Sequence, residues 1–466
     1  MNNYLTLIAF TLFFTSTVLH AQDKAKVYYV DLVDGQEVLA HPVKEFPQNP
    51  SKTKPVKINL YPDMEMQTLK GVGASFNEIG GVSLMSLHKK NREILMENLF
   101  SEKGAHLSFC RTAIGASDFG VNAYSYSERA DDYEMKHFSI KREKGSVIPY
   151  IQAAFKYNPE MRLFASPWSP PAWMKYSNVM DQGNQFKAKN KLKEDQAIYR
   201  AYALYFAKYV EAYAKKGIRV DRILIQNETD ANTKYPSCVM KPDQMYEVAQ
   251  NMRKVFKDRD VNTEIWAGTF RTHGALDAVE FAYNKRYRDA VDGLGIQYTR
   301  SQYISDMNLL KAGKPAMHTE GVCFNGKNSV DQAFTRLGEI ALYINRDIEN
   351  YCYWNMILDQ TGKSGWGWKQ NSMINIDQET KKITYNPDYS VIYLISKYLQ
   401  PGTKRFVSFS KEDEMITIKS DKAIYILVQN KSNKVKNYDC FVKGNKVTKA
   451  VIPAHSVAVI ELENNI

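Results

Sequence analysis

The chain has 466 residues, 44% of them hydrophobic, so it can bury a large core in one big domain or in about three smaller ones. Its net charge of +11 comes from Lys and Arg spread along the chain, without a basic stripe or a nucleic-acid-binding module, which argues against a nucleic-acid partner. The five Cys are widely spaced without a CxxC pair, and the eight His form no HExxH motif, so no metal site is predicted.

The N-terminus, "MNNYLTLIAFTLFFTSTVLHAQ", carries an apolar stretch from Tyr4 to Phe14 followed by small polar residues. This pattern is typical of a secretory signal over residues 1–21, with cleavage after Ala21, although no Lys or Arg precedes the apolar core. The alternative is a membrane anchor, but the stretch is too short to span a bilayer. We therefore expect an exported protein, periplasmic or secreted, without an integral membrane segment.

Three ranges follow along the chain. Residues 22–66 contain short alternating segments such as "PVKINLYP", which predict strands at a domain edge. Residues 67–395 alternate eight short apolar runs with helical segments, which predicts an α/β fold with either a closed parallel barrel or a doubly wound sheet. Residues 396–466 contain strand patterns only and predict a small antiparallel β domain that the N-terminal strands join.

Two of the helical segments carry clear signals. In "AIYRAYALYFAKYVEAYAKKG" the aromatic and apolar residues from Ile198 to Tyr213 share one helical face, and Gly217 is a natural C-terminal stop. In "SVDQAFTRLGEIALYI", Ser329 and Gln332 form a capping-box pattern at the start of one helix. The aromatic residues on these faces are expected to pack in the core.

Two of the predicted strands end in glutamate, "RILIQNE" at Glu228 and "PAMHTE" at Glu320. The active sites of eight-stranded barrels lie where the strands end, at the C-terminal face. Two carboxylates that converge there suit cleavage of a glycosidic bond, in which one protonates the leaving oxygen and the other attacks the anomeric carbon. For one isolated Glu, a surface position or a salt bridge is the commoner fate, so the matching strand ends carry the argument.

Other strand ends supply further candidates. Trp168 and Trp354 offer indole faces to a sugar ring, although most Trp residues simply pack in cores. Arg111 is costly inside a barrel unless it is paired, and a catalytic carboxylate is a natural partner. Asp118 lies just beyond the second strand. At the end of the first strand, Glu78 could bind sugar hydroxyls, while its neighbour Asn77 serves equally well as a helix N-cap.

A second kind of chemistry is a cysteine nucleophile, because Cys323 lies near His318 in the sequence. No Asn or Asp stands beside this pair to orient the imidazole, which argues against it.

Taken together, the motifs resemble those of glycoside hydrolase family 30, the family of glucosylceramidases and microbial endo-β-1,6-glucanases. The resemblance spans most of the chain after the signal and rests on the order of the following motifs: "FCRTAIGASDFGVNAYSY", "LFASPWSPPAWMK", "LIQNE", "HTEG", "YWNMILD", "GWGWKQNSMINID" and "NPDYSVIYLISKYLQPGTKRF". It implies a (β/α)₈ TIM barrel with a side antiparallel β-sandwich built from both termini. The ranges would then be a signal (1–21), N-terminal sandwich strands (22–66), the catalytic barrel (67–395) and the C-terminal sandwich (396–466).

The resemblance also implies roles for individual residues. Glu228 matches the general acid/base and Glu320 the nucleophile of a retaining double displacement. Asn227 matches the residue that hydrogen-bonds the 2-hydroxyl of the sugar. Arg111 and Gln297 match residues that support the catalytic groups. The expected substrate-binding set is completed by Asp118, Trp168, Trp354, Tyr298 and Glu78. No cofactor and no metal are implied.

The chain departs from the family pattern close to these residues. The family usually has Pro after the acid/base, where this chain has Thr229. The glucanase-like pattern has Trp after the Gln of the sixth strand, and the glucosylceramidase-like pattern has His there, whereas this chain has Tyr298. These differences bear on the substrate more than on the reaction.

The sequence therefore predicts a retaining β-glycosidase that acts on β-glucosidic bonds, with a β-1,6-glucan or a related β-gluco-oligosaccharide as first substrate. One alternative is a glucosylceramidase-like hydrolase of glycolipids. The other is a non-catalytic glycan-binding protein on the same scaffold, since fold alone does not establish catalysis.

Overall fold

The computed structural model describes residues 25–49, 53–182, 189–272, 274–412 and 414–463. The predicted secretory signal, residues 1–21, lies outside the described residues. Three strands precede the barrel: β1 (Lys26–Asp31), β2 (Lys44–Glu45) and β3 (Val56–Thr68).

Eight parallel strands form the barrel, and their order around it follows the chain. They are β4 (Gly71–Phe76), β5 (Phe109–Ala113), β6 (Arg162–Ser166), β7 (Arg222–Leu224), β8 (Glu264–Phe270), β9 (Gly293–Ile296), β10 (Ala316–His318) and β11 (Asn350–Asn355). The ring closes between β10 and β11, where a parallel bridge joins Gly321 to Tyr353 and the Gly321 N–H donates to the Cys352 carbonyl at 2.7 Å. The prediction of a (β/α)₈ barrel is therefore confirmed, and the doubly wound alternative is excluded.

Helices connect the strands and cover the outside of the barrel. They are α1 (Glu78–Met85), α2 (Lys89–Phe100), α3 (Val147–Tyr157), α4 (Gln196–Ala214), α5 (Pro242–Asp258), α6 (Ala275–Tyr283), α7 (Lys285–Asp289), α8 (Ser301–Leu310), α9 (Val330–Ala333), α10 (Arg336–Ile344) and α11 (Pro387–Tyr398). Two short 3₁₀ turns cover Lys141–Gly145 and Ala172–Met174. No helix in the described part of the chain combines the length and hydrophobicity needed to cross a bilayer.

The two helix predictions fare differently. Along α4 the predicted apolar face is buried, and the chain leaves the helix through Gly217 at φ +71°. The capping box of Ser329 and Gln332 is present, with hydrogen bonds in both directions. The single helix predicted after it is wrong, however, because the chain forms two shorter helices, α9 and α10, with Phe334 and Thr335 between them.

The remaining strands lie beside the barrel. A small sheet is formed by β12 (Ile357–Asp359), β13 (Ile374–Ile376) and β14 (Ile383–Tyr385). The C-terminal strands are β15 (Lys404–Ser410), β16 (Ile416–Lys419), β17 (Ala423–Asn430), β18 (Lys436–Val442), β19 (Asn445–Ile452) and β20 (Ser456–Glu463).

The side domain is built from both ends of the chain, as predicted. Its nine strands form one continuous sheet in the order β19-β18-β3-β15-β16-β17-β20-β1-β2, with all pairs antiparallel except β18 with β3. Strand β19 also contacts β1 and β20, which are not its hydrogen-bonded neighbours, so the sheet folds over its own apolar core. Helix α11 continues past residue 395, and the division into the ranges 22–66, 67–395 and 396–466 stays a prediction.

Side chains inside the barrel form layers that lead to the candidate site. A lower layer consists of Phe109, Phe164, Leu224, Trp266, Met317 and Cys352. Because alternate residues of a strand point to the same side, the next inward positions on β5 and β6 are Arg111 and Ser166. Both are fully buried. Polar groups therefore begin where the apolar layer ends, towards the C-terminal ends of the strands.

Candidate active site

Glu228 reaches the barrel mouth through a sharp backbone turn. The chain leaves β7 after Leu224 but keeps contact with the neighbouring strand, since the Gln226 N–H donates to the Gly268 carbonyl at 2.9 Å. Glu228 itself has φ +45°, a left-handed conformation that is costly for a residue with a side chain. Its N–H donates to Thr269 Oγ1 at 3.0 Å, and its carbonyl accepts from the Ala231 N–H at 2.7 Å. These two bonds hold the turn.

The surroundings of the Glu228 carboxyl favour its protonated form. Burial is the largest cause and raises its pKa to about 7; the Arg271 guanidinium opposes the rise, while Glu320 and Asp230 add to it. Gln297 Nε2 donates to Glu228 Oε1 at 3.3 Å. Arg271 Nη1 lies 2.8 Å from Oε2 as an ion pair, without the alignment of a directed hydrogen bond. A carboxyl that titrates near neutrality is suited to deliver and recover a proton.

Glu320 is equally buried, but strong hydrogen-bond donors hold both of its carboxylate oxygens. It follows β10 by two residues, and its Oε2 accepts from Arg111 Nη1 at 2.5 Å. The Tyr298 hydroxyl donates to Oε1 at 2.6 Å. One carboxylate oxygen thus faces a guanidinium and the other a phenol, an arrangement that orients a charged nucleophile.

Arg111 links Glu320 to Asn227, the residue that directly precedes Glu228. Its Nη2 donates to Ser166 Oγ at 2.6 Å and to Asn227 Oδ1 at 2.7 Å, and its guanidinium lies 4.6 Å from the Trp168 ring centroid. With Glu320, these contacts offset the cost of burying its charge. The structure thus brings Arg111 against Glu320, the pairing that the sequence suggested.

Asn227 and Gln297 lie on either side of Glu228. Asn227 Oδ1 accepts from Arg111 and, at 3.1 Å, from Thr269 Oγ1, so these donors identify the oxygen of the amide and make Nδ2 its donor end. Gln297 Oε1 accepts from Thr319 Oγ1 at 2.7 Å, which fixes the opposite end of that amide and presents Nε2 to Glu228.

The predicted sugar-contacting residues meet at the same place. The indole rings of Trp168 and Trp354 stack with centroids 5.0 Å apart. Asp118 is buried, and its pKa is raised well above the ordinary value by burial and then by Glu320 and Glu228. Among the described residues, no group hydrogen-bonds Asp118 Oδ1 or Trp354 Nε1. Buried polar atoms of this kind are suited to hydroxyl groups of a bound ligand.

Glu78 is placed differently from the other candidates. Its Oε1 accepts from Arg142 Nε at 3.0 Å, and its Oε2 accepts from the Val121 N–H at 2.7 Å. Its neighbour Asn77 caps helix α1 by accepting from the Gly80 N–H at 2.7 Å. Both Glu78 oxygens are thus held by protein donors, which favours a role in fixing the loop after β5; its part in substrate binding stays a prediction.

The cysteine alternative is not supported by the geometry. All five Cys are buried and free, and burial raises the pKa of the Cys323 thiol to about 12. His318 Nδ1 accepts from the Cys352 N–H at 3.2 Å, and the His318 ring stacks on Tyr351 at 4.5 Å. His318 is therefore packed into the barrel wall, away from a role as the base of a nucleophilic thiol.

Several residues of the site were not predicted, and three of them belong to or directly follow barrel strands. Arg271 directly follows β8, Ser166 ends β6 and Thr269 lies within β8. All three lie at or near the C-terminal ends of barrel strands, so the strand-end rule marks their positions, but it does not select them from the other polar side chains there.

Comparisons with known proteins identify a family that matches part of the chain. Residues 69–271 match the family described as "Glycosyl hydrolase family 30 TIM-barrel domain", a range that runs from just before β4 through Arg271 and includes Glu228. The chain contains a glycoside hydrolase family 30 domain.

The curated proteins that resemble this chain carry two kinds of name. "Putative glucosylceramidase 1" of Caenorhabditis elegans is 37% identical over 163 residues, which is 35% of this chain but only 30% of that protein. "Putative glucosylceramidase 3" of the same organism is 26% identical over 83% of this chain and 77% of its own length. An endo-1,6-β-D-glucanase of Neurospora crassa is 30% identical over 47% of this chain and 45% of its own.

Solved structures extend the likeness to the side sheet. SrfJ from Salmonella typhimurium superposes with a TM-score of 0.84 at 21% identity, covering 95% of this chain and 100% of that one. The endo-β1,6-glucanase BT3312 superposes with a TM-score of 0.81 at 20% identity over the same shares. At these identities the likeness shows the fold, which both structures share with this chain.

Thr229, which stands where the family usually has Pro, is buried, and its hydroxyl makes no hydrogen bond with the described residues. Its N–H donates to the Thr269 carbonyl at 3.3 Å, a bond that Pro would lack, but no described residue hydrogen-bonds its Oγ1. A buried hydroxyl without a partner lowers stability, so Thr229→Val is expected to leave the free energy of unfolding unchanged or raise it by up to about 1 kcal/mol. Chemical denaturation measures this.

The matched control is Thr269→Val, which removes a hydroxyl that bonds both Glu228 and Asn227. We expect it to lower the free energy of unfolding by about 1–3 kcal/mol. An equal loss in both variants would show that the Thr229 hydroxyl has a partner after all.

Proposed function

We propose that this chain is a retaining β-glycosidase that hydrolyses β-glucosidic bonds, with β-1,6-glucan or a related β-gluco-oligosaccharide as its substrate class. The observation that carries the proposal is the contrast between two buried carboxyls at one barrel mouth. Burial raises the pKa of Glu228 to about 7 even beside a guanidinium, while Glu320 accepts hydrogen bonds from Arg111 and Tyr298. A retaining glycosidase needs two carboxyl groups in different environments, one that donates a proton and one that attacks the anomeric carbon.

In the first half of the reaction, protonated Glu228 donates its proton to the glycosidic oxygen as the bond to the anomeric carbon breaks. A Glu320 oxygen forms a bond to that carbon and yields a glycosyl ester. In the second half, Glu228 removes a proton from water, the water oxygen attacks the anomeric carbon, and Glu320 leaves as a carboxylate. Two inversions at one carbon retain the β configuration of the product.

The remaining residues would hold the sugar and the charges. Asn227 Nδ2 would donate to the 2-hydroxyl, and Asp118 would accept from a hydroxyl of the same ring, against the face formed by Trp168 and Trp354. Arg111 and Tyr298 keep the Glu320 carboxylate in one orientation before and after the ester forms. Hydrogen bonds that are fixed before the reaction stabilise its transition state without further reorganisation.

The test is hydrolysis of a defined panel by the purified chain. The panel contains β-1,6-, β-1,3- and β-1,4-linked gluco-oligosaccharides, aryl β-glucosides and glucosylceramide in detergent micelles. The double variant Glu228→Gln/Glu320→Gln supplies the background rate. We expect the highest kcat/KM on β-1,6-linked substrates. A preference for glucosylceramide would favour the glycolipid hydrolase, to which the glucosylceramidase relatives point; binding without turnover above background would favour a glycan-binding protein.

The pH dependence follows from the raised pKa of Glu228. The group acts first as an acid, so it must carry its proton when substrate binds. Below its pKa of about 7 it is protonated, and above that value it is ionised. We therefore expect kcat/KM on unactivated oligosaccharides to fall tenfold per unit as pH rises above about 7. Rates measured across the stability range of the protein would contradict this if they stayed constant well into the alkaline region.

A further inference from the structure

Arg271 and Asp230 form a charged pair that lies next to the Glu228 carboxyl. Arg271 directly follows β8, and Asp230 lies two residues after Glu228 in the turn that its left-handed backbone begins. Arg271 Nη1 lies 2.8 Å from Glu228 Oε2, and Arg271 Nε donates to Asp230 Oδ1 at 3.0 Å. One guanidinium therefore lies between two carboxyl groups.

In the proposed reaction Glu228 must be protonated although it lies next to the guanidinium of Arg271. A guanidinium next to a carboxyl stabilises its ionised form, and an opposite charge within about 4–6 Å lowers a carboxyl pKa by about 1–3 units. Unopposed, Arg271 would hold Glu228 ionised at neutral pH and would block the acid step. Asp230 places a compensating negative charge next to the same guanidinium. The rise in the pKa of Glu228 that burial causes can then outweigh the lowering by Arg271.

We propose, on the basis of the glycosidase function above, that Arg271 and Asp230 are positioning residues for Glu228. Arg271 restrains the Oε2 side of the carboxyl, and Asp230 orients and neutralises Arg271. The pair lets Glu228 alternate between the protonated and the ionised form during one turnover. Neither residue touches the reacting bond in this account; both act through Glu228.

The other charged and titratable groups that face Glu228 come from several elements. They are Glu320 after β10, Arg111 on β5, Asp118 in the loop after β5, Tyr298 after β9 and Tyr235 in the loop after β7. The variants below leave all five in place. A change in the titration of Glu228 can then be assigned to the pair.

The loss of Arg271 and the loss of Asp230 should shift the apparent pKa of Glu228 in opposite directions. In Arg271→Met the stabilising positive charge is lost, so the apparent pKa of Glu228 should rise by about one unit or more. In Asp230→Asn the guanidinium is unopposed, so the apparent pKa should fall by about one unit. The double variant should lie between the two.

The direct measurement is a carbon NMR titration of the full chain with glutamate labelled at the side-chain carboxyl, with the Glu228 signal assigned by its absence in Glu228→Gln. It needs no turnover, so it tests the pair even if the glycosidase proposal fails. If the chain is active, the fall of kcat/KM at high pH should move by the same amounts and in the same directions. A panel without hydrolysis would overturn the glycosidase function alone.

Arg259→Met is the matched control, because Arg259 forms a two-bonded pair with Glu211 on the outside of the barrel, at 2.7 and 2.8 Å. It should leave the Glu228 titration unchanged. Shifts of the same sign in Arg271→Met and Asp230→Asn, or a loss of rate without any shift, would overturn the proposal. The latter would mean that the pair only stabilises the loop.

Discussion

Replacing Glu320 by Gln is expected to lower kcat by at least about 10⁴-fold on every β-glucoside, because the amide cannot form the glycosyl ester. That factor equals about 5.4 kcal/mol of lost transition-state stabilisation. The shape of the side chain is kept, so binding of the sugar should change little. Steady-state kinetics on an aryl β-glucoside, with the affinity for a non-hydrolysed oligosaccharide measured separately, distinguishes the two effects.

The control for this variant must also remove the partner of a buried guanidinium, since Glu320→Gln leaves Arg111 without its counter-charge. Glu349→Gln removes one of the two carboxylate partners of the buried Arg222 at the lower end of the barrel, where Glu264 remains paired with Arg222. We expect Glu320→Gln to be destabilised by a few kcal/mol, on the order of the cost of breaking a buried ion pair, and Glu349→Gln by less, because Glu264 still compensates Arg222. Only Glu320→Gln should lose the chemical step; a similar loss in Glu349→Gln would attribute the effect to folding.

Replacing Glu228 by Gln should produce a loss that depends on the leaving group. On sugar–sugar bonds, where the departing oxygen needs a proton, kcat/KM should fall by about 10²–10⁴-fold. On β-glucosyl fluoride, whose leaving group departs without general acid help, formation of the glycosyl ester should be much less affected. The measurement is a comparison of wild type and variant across leaving groups of decreasing basicity.

Two outcomes would contradict the assignment of Glu228. An equal loss on all leaving groups would show that Glu228 is needed for binding or folding rather than for proton transfer. No loss on oligosaccharides would move the acid role to another group, and Asp118, whose pKa is also raised by burial, would be the next residue to replace.

The barrel was predictable because its strands and helices have different periods in the sequence. Short apolar runs such as "RILIQNE" alternate with amphipathic helices such as α4, and a parallel sheet needs this alternation. The rule that barrel sites lie at strand ends then selected Glu228 and Glu320 without any knowledge of their partners. The family resemblance added their separate roles, which strand ends alone do not supply.

The contacts around Arg271 were not predictable from the local sequence. "TFRTHG" contains no pattern that separates a surface arginine from one aimed into the barrel, and the difference arises only when β8 lies next to β7. The turn at Glu228 is similar, because its left-handed backbone is held by Thr269 from the neighbouring strand. The register between β7 and β8 determines both the contacts of Arg271 and the turn at Glu228, and the periodicity of a single sequence does not contain that register.

The prediction of one continuous helix after the capping box is wrong, and the contacts of Arg336 supply a tertiary reason. Its apolar stripe continues from Val330 to Ile344, so periodicity favours one helix. The chain instead breaks before Arg336, whose buried guanidinium pairs with Asp388 of α11 at 3.2 Å and also contacts Glu339. This long-range pairing fixes the position of α10 more strongly than local continuity does.

Covalent trapping of the nucleophile tests directly whether Glu320 forms a glycosyl ester. A 2-deoxy-2-fluoro-β-glucoside with a good leaving group slows both halves of the reaction but the second half more, so the glycosyl ester accumulates. Mass spectrometry of the intact chain and of its peptides then locates the bound sugar. We expect one fluoroglucosyl group per chain, attached to Glu320. A chain that turns over substrate but is labelled on another carboxylate, or not at all, would contradict the role of Glu320 as nucleophile.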